Sequence, residues 1–235
     1  MMYKRVLLKL SGEQLAGKFE HGIDPELCGW LANEVKKVAD TETQIVVIVG
    51  GGNMIRGEEV AGHGIKRVTG DHMGMLSGLI NSIALNDIFE SSGVPSRCLS
   101  NIFAEQVAES YSFRLAEKHL ERKRVVIVAG GIGRPYFSHD TGAVNIALEL
   151  GCEIVMKATK VDGVYDRDPM QFQDAVKFDS LSYQQAVQDS SIKVMDKAAM
   201  GLAMEHNMPL IIFNAMKPDN ILRVVNGETV GTKIS

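Results

Sequence analysis

Short runs of β-branched and apolar residues alternate along the chain with longer stretches of helical periodicity, and this alternation constrains the fold most strongly. The runs are Lys4–Leu10, Gln44–Val49, Val94–Leu99, Arg124–Ala129, Glu153–Lys157 and Pro209–Phe213. Most of them are apolar at successive positions, which is typical of strands buried on both faces of a parallel sheet. Strands that alternate with helices in this way predict an α/β fold.

The stretches between these runs predict the helices. Asp24 is a good N-cap and Pro25 suits the first helical position, so the sequence predicts a helix over Pro25–Ala39. Further helices are predicted at about 72–91, 104–120, 141–150 and 194–206. The helix near 72–91 is apolar on more than one face, and it is either a central core helix or shared with another subunit. A lobe boundary is predicted near Ala158–Gly163, where a Gly/Asp-rich segment follows a strand.

Composition excludes several classes of protein. The 235 residues contain 25 Lys+Arg against 29 Asp+Glu, and a net charge of −4 excludes a basic nucleic-acid scaffold. Cys28, Cys98 and Cys152 are widely spaced and match no metal-ligand pattern, which favours a reducing compartment. The apolar runs fall far short of the ~20 residues that span a bilayer, and Lys9 and Ser11 interrupt the N-terminal run too early for a signal peptide. We therefore expect a cytoplasmic protein that requires neither a membrane nor a nucleic acid.

Four of the predicted strands end in loops rich in Gly, Ser, Lys or Asp. These loops are Lys9–Gly12, Gly50–Asn53, Gly130–Gly133 and Thr159–Gly163. Ligands of open α/β sheets bind beyond the carboxyl ends of the strands, and glycine lets backbone N–H groups approach an anion closely. Four such loops together favour a phosphate-bearing ligand over simple chain reversals.

Two common nucleotide-binding motifs are incomplete in this chain. Gly12–Lys18 matches the first part of a Walker A loop, but Phe19 stands where a Ser/Thr hydroxyl would bind Mg²⁺. We interpret this match as accidental or as a surface loop. Gly50–Gly52 and Gly131–Gly133 lack the third glycine of a dinucleotide fingerprint, which argues against a Rossmann dehydrogenase.

Phosphoryl transfer requires cations and N–H donors aimed at the transferring group. Lys9, Arg56 and Lys157 are the available cations at or near strand ends. Lys9 lies in an apolar strand, where an ammonium without an anionic partner is costly to bury, although its side chain could instead snorkel to the surface. Asp140 precedes a predicted helix and is a candidate N-cap, a role that is compatible with one in the site.

The segment Asp162–Pro169 contains three carboxylates but lacks the glycine and terminal glutamate of a calcium-binding loop. We interpret it as a pocket wall in which Tyr165 packs on a flat ring and Asp168 accepts hydrogen bonds from a nucleotide. A surface turn is the alternative interpretation.

Several longer stretches resemble the bacterial uridylate (UMP) kinases of the amino acid kinase superfamily. They are Lys9–Glu13, Val49–Asn53 with Arg56-Gly57, Gly70–Leu76, Lys157–Tyr165 with Asp168-Pro169, and Lys193–Asp196. The match runs from Tyr3 to Ile234. The first two stretches are shared across the superfamily, whereas Gly70–Leu76 and Lys193–Asp196 are more particular to the UMP kinases.

The resemblance implies a single domain over residues 1–235, a three-layer α/β/α sandwich with a mostly parallel central sheet. Residues 1–157 would mainly bind UMP and form the subunit interface, and residues 158–235 would mainly bind ATP. The implied reaction moves the γ-phosphate of ATP to UMP to give UDP, a step of pyrimidine nucleotide biosynthesis, with Mg²⁺ bound through the ATP phosphates.

The resemblance also assigns site residues. Lys9 and Arg56 would neutralise the transferring phosphoryl group, and Asp140 would organise the lysine. The implied ATP site comprises Lys9, Leu10, Ser11, Gly12, Gly52, Arg56, Thr159, Tyr165 and Asp168. The implied UMP site comprises Gly51, Asp71, Ile132, Gly133, Arg134, Pro135, Tyr136, Phe137, Ser138 and His139.

The chain departs from the family in the implied UMP site. Where the family often has Gly-Thr-Gly-Asn-Pro, this chain has Ile132 in place of Thr and Arg134 in place of Asn, and His139 stands where Thr is usual. The changes keep backbone contacts to UMP and remove hydroxyl contacts. They also bring two groups that can carry positive charge, Arg134 and His139, toward the acceptor phosphate.

Assembly and regulation are likewise implied by the resemblance. Members of the family form homohexamers through the long apolar helix, and commonly GTP activates them and UTP inhibits them. The GTP-response segment matches Gly17, Lys18, Phe19, Glu20, His21 and Gly22. Of the positions linked with GTP in enterobacterial members, the matches are Arg97 and Arg124 and the mismatches are Asn86, Glu90 and Phe113. GTP activation is therefore less firmly implied than catalysis.

Two other functions stay open on the sequence. One is a non-catalytic nucleotide-binding storage or sensor protein on the same fold. The other is an amino acid or carbamate kinase of the same superfamily, against which Asp71 and the Gly70–Leu76 stretch argue.

Overall fold

The fold is taken from a computed structural model, which describes residues 2–61, 64–188, 192 and 194–235. Lys193, the first residue of the Lys193–Asp196 stretch, lies outside the described residues.

A single sheet organises the described part of the chain. Its nine strands are β1 (Arg5–Leu10), β2 (Gln44–Val49), β3 (Ser96–Ser100), β4 (Glu109–Ser110), β5 (Val125–Ala129), β6 (Ile154–Thr159), β7 (Ser180–Leu181), β8 (Leu210–Asn214) and β9 (Thr232–Ile234). The order across the sheet is β4-β3-β5-β2-β1-β6-β8-β9-β7. Neighbouring strands are parallel except for β8 and β9, which are antiparallel. All six predicted strands are confirmed, with bounds shifted by at most two residues.

The helices connect these strands. They are α1 (Gly12–Leu15), α2 (Pro25–Ala39), α3 (Gly57–Val60), α4 (Arg67–Ser91), α5 (Phe113–Glu121), α6 (His139–Glu149), α7 (Tyr183–Gln188), α8 (Lys197–Glu205) and α9 (Asn220–Val225). The predicted bounds of α2 are confirmed, and the Asp24 side chain accepts hydrogen bonds from the first turn as expected for an N-cap. The prediction of a helix over 104–120 is wrong in its first half, because Ser112 caps α5 and the chain before it forms the edge strand β4.

Helices cover both faces of the sheet, which confirms the three-layer α/β/α architecture. In β1, Leu7 packs with α5, α6 and α8 on one face, whereas Val6 and Leu8 pack with α2, α4 and α9 on the other. This alternation explains why the strand is apolar at successive positions: each side chain enters one of two cores. Among the described residues, no helix combines the length and apolar character that crossing a membrane requires.

Candidate active site

The four glycine-rich loops meet at one edge of the sheet. The strands that precede them, β5, β2, β1 and β6, are adjacent and parallel, so their carboxyl ends lie side by side. The sequence places polar and charged groups at this edge and apolar groups within the strands. This is the position at which an open α/β sheet binds ligands.

Close backbone packing explains the glycines of these loops. A Cβ on Gly12 would lie 2.5 Å from the Gly50 carbonyl oxygen, and a Cβ on Gly51 would lie 2.5 Å from the Gly74 carbonyl oxygen of α4. The Gly50 N–H donates to the Leu10 carbonyl at 3.1 Å. At Gly12 and Gly51 the loops after β1 and β2 therefore pack against neighbouring backbone, with no room for a side chain.

Three cavities follow this edge of the sheet. The central cavity, about 370 Å³, is lined by Lys9, Ser11, Gly12, Gly51, Gly52, Arg56, His139 and Asp140 among others. The α4-side cavity, about 380 Å³, shares Gly51, Gly52, Arg56 and His139 with it and adds Asp71, Tyr136 and Phe137. The β6-side cavity, about 440 Å³, is lined by Lys157, Thr159, Gly163, Tyr165, Arg167 and Asp168 among others. Together they can accommodate two ligands that meet in the centre.

Two lysines and one carboxylate form a charged cluster between the central and β6-side cavities. The Lys9 ammonium lies 2.7 Å from Asp140 Oδ1, and the Lys157 ammonium lies 2.7 Å from Asp140 Oδ2. Lys157 also donates to the Val194 carbonyl. The side chains of Lys9, Asp140 and Lys157 are only 11%, 13% and 16% exposed. Lys9 thus has the anionic partner that its buried position requires, and the alternative of a snorkelling lysine is wrong.

The environment of this cluster sets the charge of its members. Burial raises the pKa of the Asp140 carboxyl, but Lys9 and Lys157 outweigh burial and bring that pKa to about 2. Burial is also the main reason why the pKa of Lys157 is lowered, an effect that Asp140 opposes. With the carboxylate ionised, one anion faces two lysines.

His139 is neutral in this setting. Burial, reinforced by the Lys9 ammonium, lowers the pKa of its imidazole to about 4. The ring packs so closely on α4 that a Cβ on Gly78 would lie 2.8 Å from His139 Nε2. The expectation that His139 adds positive charge near an acceptor phosphate is therefore wrong. Arg134, the second expected cation, is exposed and lies outside the three cavities.

Ser138, and not Asp140, is the N-cap of α6. Its hydroxyl oxygen accepts hydrogen bonds from the Asp140 and Thr141 N–H groups. Asp140 lies in the first turn, where the helix dipole favours an anion. The Ser138 hydroxyl also donates to Asp196, which caps α8, so the starts of α6 and α8 are joined at one carboxylate.

Ion pairs also position Arg56 and Asp71, two further charged residues that were predicted at this edge. Arg56 pairs with Glu13 of α1, and both residues line the central cavity. In the α4-side cavity, Asp71 accepts from Arg67 Nε at 2.8 Å and from the Tyr136 backbone N–H at 2.8 Å. Tyr136 has a left-handed backbone, with φ of 68°, and the Arg67 guanidinium lies 5.8 Å from its ring centre.

The segment Asp162–Pro169 forms one wall of the β6-side cavity, as predicted in preference to a surface turn. The Tyr165 hydroxyl donates to Asp162 at 3.0 Å, and Asp162 pairs with Lys217 at 3.1 Å. Asp168 accepts from the Met170 N–H at 2.9 Å. These contacts fix the wall and leave the Tyr165 ring along the cavity.

Some predicted site residues lie apart from the cavities. The Leu10 side chain is fully buried in the core, so only its backbone is available at the strand end. Ile132, Gly133 and Pro135 lie outside the three cavities, as do Gly17, Lys18, Phe19, Glu20, His21 and Gly22. The 17–22 loop is nevertheless attached to the site, because the Gly22 N–H donates to the Asn53 carbonyl at 3.1 Å.

Sequence reasoning missed several charged residues of the site, namely Glu13, Arg67, Arg167 and Asp196. Two of them had a local signal. Arg67 and Asp71 are four residues apart on one helix, the spacing of an ion pair, and Asp196 lies near the start of the helix predicted at about 194–206, where N-cap residues occur. Glu13 and Arg167 had none, because their places depend on how distant loops meet.

Comparison with known proteins identifies the family. The family model described as "Amino acid kinase family" matches residues 4–214. The chain belongs to the amino acid kinase family. This family member is 45% identical over 234 residues to a protein named uridylate kinase from Xanthomonas oryzae pv. oryzae, an alignment that covers 100% of this chain and 97% of the relative.

Solved structures of family members share the fold. The UMP kinase of Bacillus anthracis matches with a TM-score of 0.94 at 35% identity, over 100% of this chain and 97% of the other. The UMP kinase of Ureaplasma parvum matches with a TM-score of 0.91 at 30% identity, and the uridylate kinase of Archaeoglobus fulgidus with 0.75 at 28%, both over the full length of both chains. The resemblance read from the sequence is thus confirmed over the whole amino acid kinase fold.

Proposed function

We propose that this chain is a UMP kinase, which transfers the γ-phosphate of ATP to UMP and releases ADP and UDP. The observation that carries the proposal is the buried Lys9–Asp140–Lys157 cluster, which lies where the cavities of the sheet edge meet. The similarity to proteins named uridylate kinase specifies the acceptor.

Positioning and charge stabilisation account for the chemistry. The transferred phosphoryl group carries negative charge on several oxygens, and fixed cations lower the energy of its transition state. Lys9 and Arg56, both lining the central cavity, face this group, and backbone N–H groups of Gly12 and Gly52 surround it. Asp140 holds Lys9 and Lys157 in place. It is a poor general base, since its pKa is about 2 and both of its oxygens are paired with lysines.

The two outer cavities then accommodate the two nucleotides. UMP occupies the α4-side cavity, where Asp71 is the acceptor for its hydroxyl groups and where the neutral His139 adds no charge. The base of ATP occupies the β6-side cavity beside Tyr165 and Asp168, with Thr159 at the strand end. This arrangement corresponds to a UMP lobe over residues 1–157 and an ATP lobe over residues 158–235.

Mg²⁺ would be held in this site mainly through the ATP phosphates. Among the described residues, no group of three or more His, Cys, Asp or Glu side chains is arranged as a metal cage. Carboxylates of Glu13, Glu58 and Glu59 line the central cavity, and such hard oxygen donors fit a phosphate-bound Mg²⁺. When bound, the metal neutralises charge on the phosphate oxygens.

Assembly and setting follow the family. We place the protein in the cytoplasm, and its three free, buried cysteines support a reducing compartment. There it would act as an enzyme of pyrimidine nucleotide biosynthesis. A homohexamer formed through α4 is supported by Leu76 and Ile80, which are 48% and 50% exposed on that helix.

GTP activation and UTP inhibition complete the proposed regulation, with the loop Gly17–Gly22 as the GTP-response segment. In this chain Arg97 already pairs with Glu90 at 3.1 Å, and Arg124 lies 3.1 Å from the His119 ring nitrogen. A GTP phosphate that bound Arg97 would have to displace Glu90, so we expect weaker GTP activation than in members without an acidic residue there.

An acceptor panel tests the proposal. The purified protein is incubated with ATP and Mg²⁺ and with UMP, CMP, AMP, glutamate or acetylglutamate, with and without GTP and UTP, and ADP release is measured. Turnover of UMP well above the other acceptors supports a UMP kinase. Turnover of an amino acid alone indicates the related acceptor class, and binding of ATP and UMP without turnover indicates a storage or sensor protein.

A further inference from the structure

We infer that Asn53 and Asn81 form a buried positioning pair that sets the geometry of the triple-glycine loop, Gly50–Gly52. The kinetic consequences of this inference rest on the proposed kinase function. Asn53 directly follows Gly52 in the loop after β2, and Asn81 lies in the middle of α4. Their relative exposures are 2% and 0%, and neither residue lines any of the three cavities.

The two amides bond to each other in both directions. Asn53 Nδ2 donates to Asn81 Oδ1 at 3.0 Å, and Asn81 Nδ2 donates to Asn53 Oδ1 at 2.7 Å. The second N–H of Asn53 donates to the Gly22 carbonyl at 2.6 Å, and the second N–H of Asn81 donates to the Gly50 carbonyl at 2.7 Å. All four amide hydrogens are therefore used inside the protein.

This pattern permits only one arrangement of the pair. Turning the Asn81 amide over would bring its oxygen against the Gly50 carbonyl oxygen, and turning the Asn53 amide over would do the same at Gly22. Each change would leave buried polar groups without partners, which is strongly disfavoured. The pair therefore acts as a rigid connection between α4, the triple-glycine loop and the 17–22 loop.

The connection reaches the active site through the backbone. The Gly50 carbonyl is held by Asn81, and the next two residues, Gly51 and Gly52, line the central and α4-side cavities. Gly12 packs against the same group, since a Cβ there would lie 2.5 Å from both the Gly50 carbonyl oxygen and Asn53 Oδ1. A small rotation of the Gly50 peptide would thus displace N–H groups that face the transferring phosphoryl group. Misplacing such groups by about 1 Å can reduce turnover by ~10²-fold.

The test separates positioning from stability. We compare Asn53→Leu, Asn81→Leu and the double variant with wild-type protein, because leucine keeps the branched heavy-atom shape of asparagine and removes the amide, at the cost of the added volume of its methyl groups. Thr43→Val is the matched control: Thr43 is buried, donates to the Tyr3 carbonyl at 2.7 Å, and precedes the opposite end of β2. For each protein, Tm, kcat and both KM values are measured, together with ATP affinity by calorimetry.

We expect Asn81→Leu to lower kcat/KM at least ~10-fold, within the range for misplaced catalytic groups, and Thr43→Val to change it less than twofold. In each single variant the remaining amide is buried without its partner. The double variant has neither amide, so its Tm should fall by less than the sum of the two single losses. Its kcat/KM should stay low, because the Gly50 carbonyl still lacks its donor. Asn81→Ala, which removes the donor without adding volume, replaces Asn81→Leu in the comparison if the latter does not fold.

The inference is overturned if the kinetic constants of the Asn81 variants stay within twofold of wild type. It is also overturned if kcat/KM recovers in step with Tm in the double variant. ATP titration keeps this test separate from the proposed function. If wild-type protein does not use UMP, the proposed function fails. In that case a tenfold loss of ATP affinity in the Asn81 variant, absent from Thr43→Val, still supports the positioning role, and an unchanged affinity overturns it.

Discussion

Asp140→Asn is the substitution that most sharply probes the charged cluster. In the wild-type protein Lys9 and Lys157 lie 2.7 Å from the two carboxylate oxygens, and the change keeps the shape of the side chain and removes its charge. Two largely buried ammonium groups then face a neutral amide that can accept through only one oxygen. We expect a loss of both stability and turnover.

The size of the stability loss follows from the pKa of Asp140, which falls from 3.8 to about 2 in the folded protein. At 1.36 kcal/mol per pKa unit this is about 2 kcal/mol. Because the folded pKa is depressed, this stability is present above pH 4 and is lost as the pH falls toward 2. Leaving a buried ion without its partner typically costs about 3–5 kcal/mol. We therefore expect the variant to lose about 2–5 kcal/mol at pH 7, and the difference from wild type to narrow below pH 4.

Urea unfolding at pH 7 and at a series of values down to pH 2 measures this difference, with kcat for UMP phosphorylation measured at pH 7. Asp219→Asn is the matched control, since Asp219 also pairs with a lysine, Lys37, at 2.7 Å but is 57% exposed. Exposed pairs contribute at most about 1 kcal/mol, and asparagine tolerates the left-handed backbone at that position. A stability of Asp140→Asn within 0.5 kcal/mol of wild type at pH 7, about the scatter of an ordinary surface substitution, would refute the reasoning.

Three further predictions concern the same edge of the sheet. Lys9→Ala should lower kcat by at least ~10²-fold, the scale for losing one group that stabilises the transition state, and near-normal turnover in the coupled assay would remove Lys9 from the mechanism. Because the folded protein lowers the pKa of His139, wild-type protein should lose about 3 kcal/mol of stability as the pH falls from 6.5 toward 4. His139→Asn should abolish this loss. Urea unfolding measures it, and parallel curves of stability against pH for the two proteins would contradict the prediction. Gly51→Ala should lower both Tm and kcat/KM, since its Cβ would lie 2.5 Å from the Gly74 carbonyl oxygen. Gly29→Ala, in open space on α2, is the control and should raise stability by about 0.5–1 kcal/mol. Equal effects of the two substitutions in thermal unfolding would refute the close-packing account.

The sequence predicted the central strands well because their signals are local. Each is a continuous apolar run ended by turn residues, and Lys4–Leu10 or Gln44–Val49 leaves little choice of structure. The outermost strand of the sheet, β4, was less predictable. Strand β4 has two residues and exists through its pairing with β3, and Ala104 and Ala108, expected in a helix, instead pack beside Leu79 and Cys98.

The residues of the site were largely predictable from the sequence, whereas their charge states were not. The glycines at strand ends and the need of Lys9 for an anionic partner were evident from residue type and position. The role of Ser138 as the cap of α6, in place of Asp140, depended on where the helix begins. The neutrality of His139 depends on burial against α4 and on the nearby Lys9, neither of which a sequence pattern shows.

We propose that this edge of the sheet, where the carboxyl ends of the strands meet, transfers a phosphoryl group from ATP to UMP. The most direct measurement follows ³²P from [γ-³²P]ATP, with Mg²⁺ and UMP present, by separation of the products. We predict that the label appears in UDP in step with ADP formation for wild-type protein and is nearly absent for Lys9→Ala. Label that remains in ATP or appears only in inorganic phosphate would contradict the account.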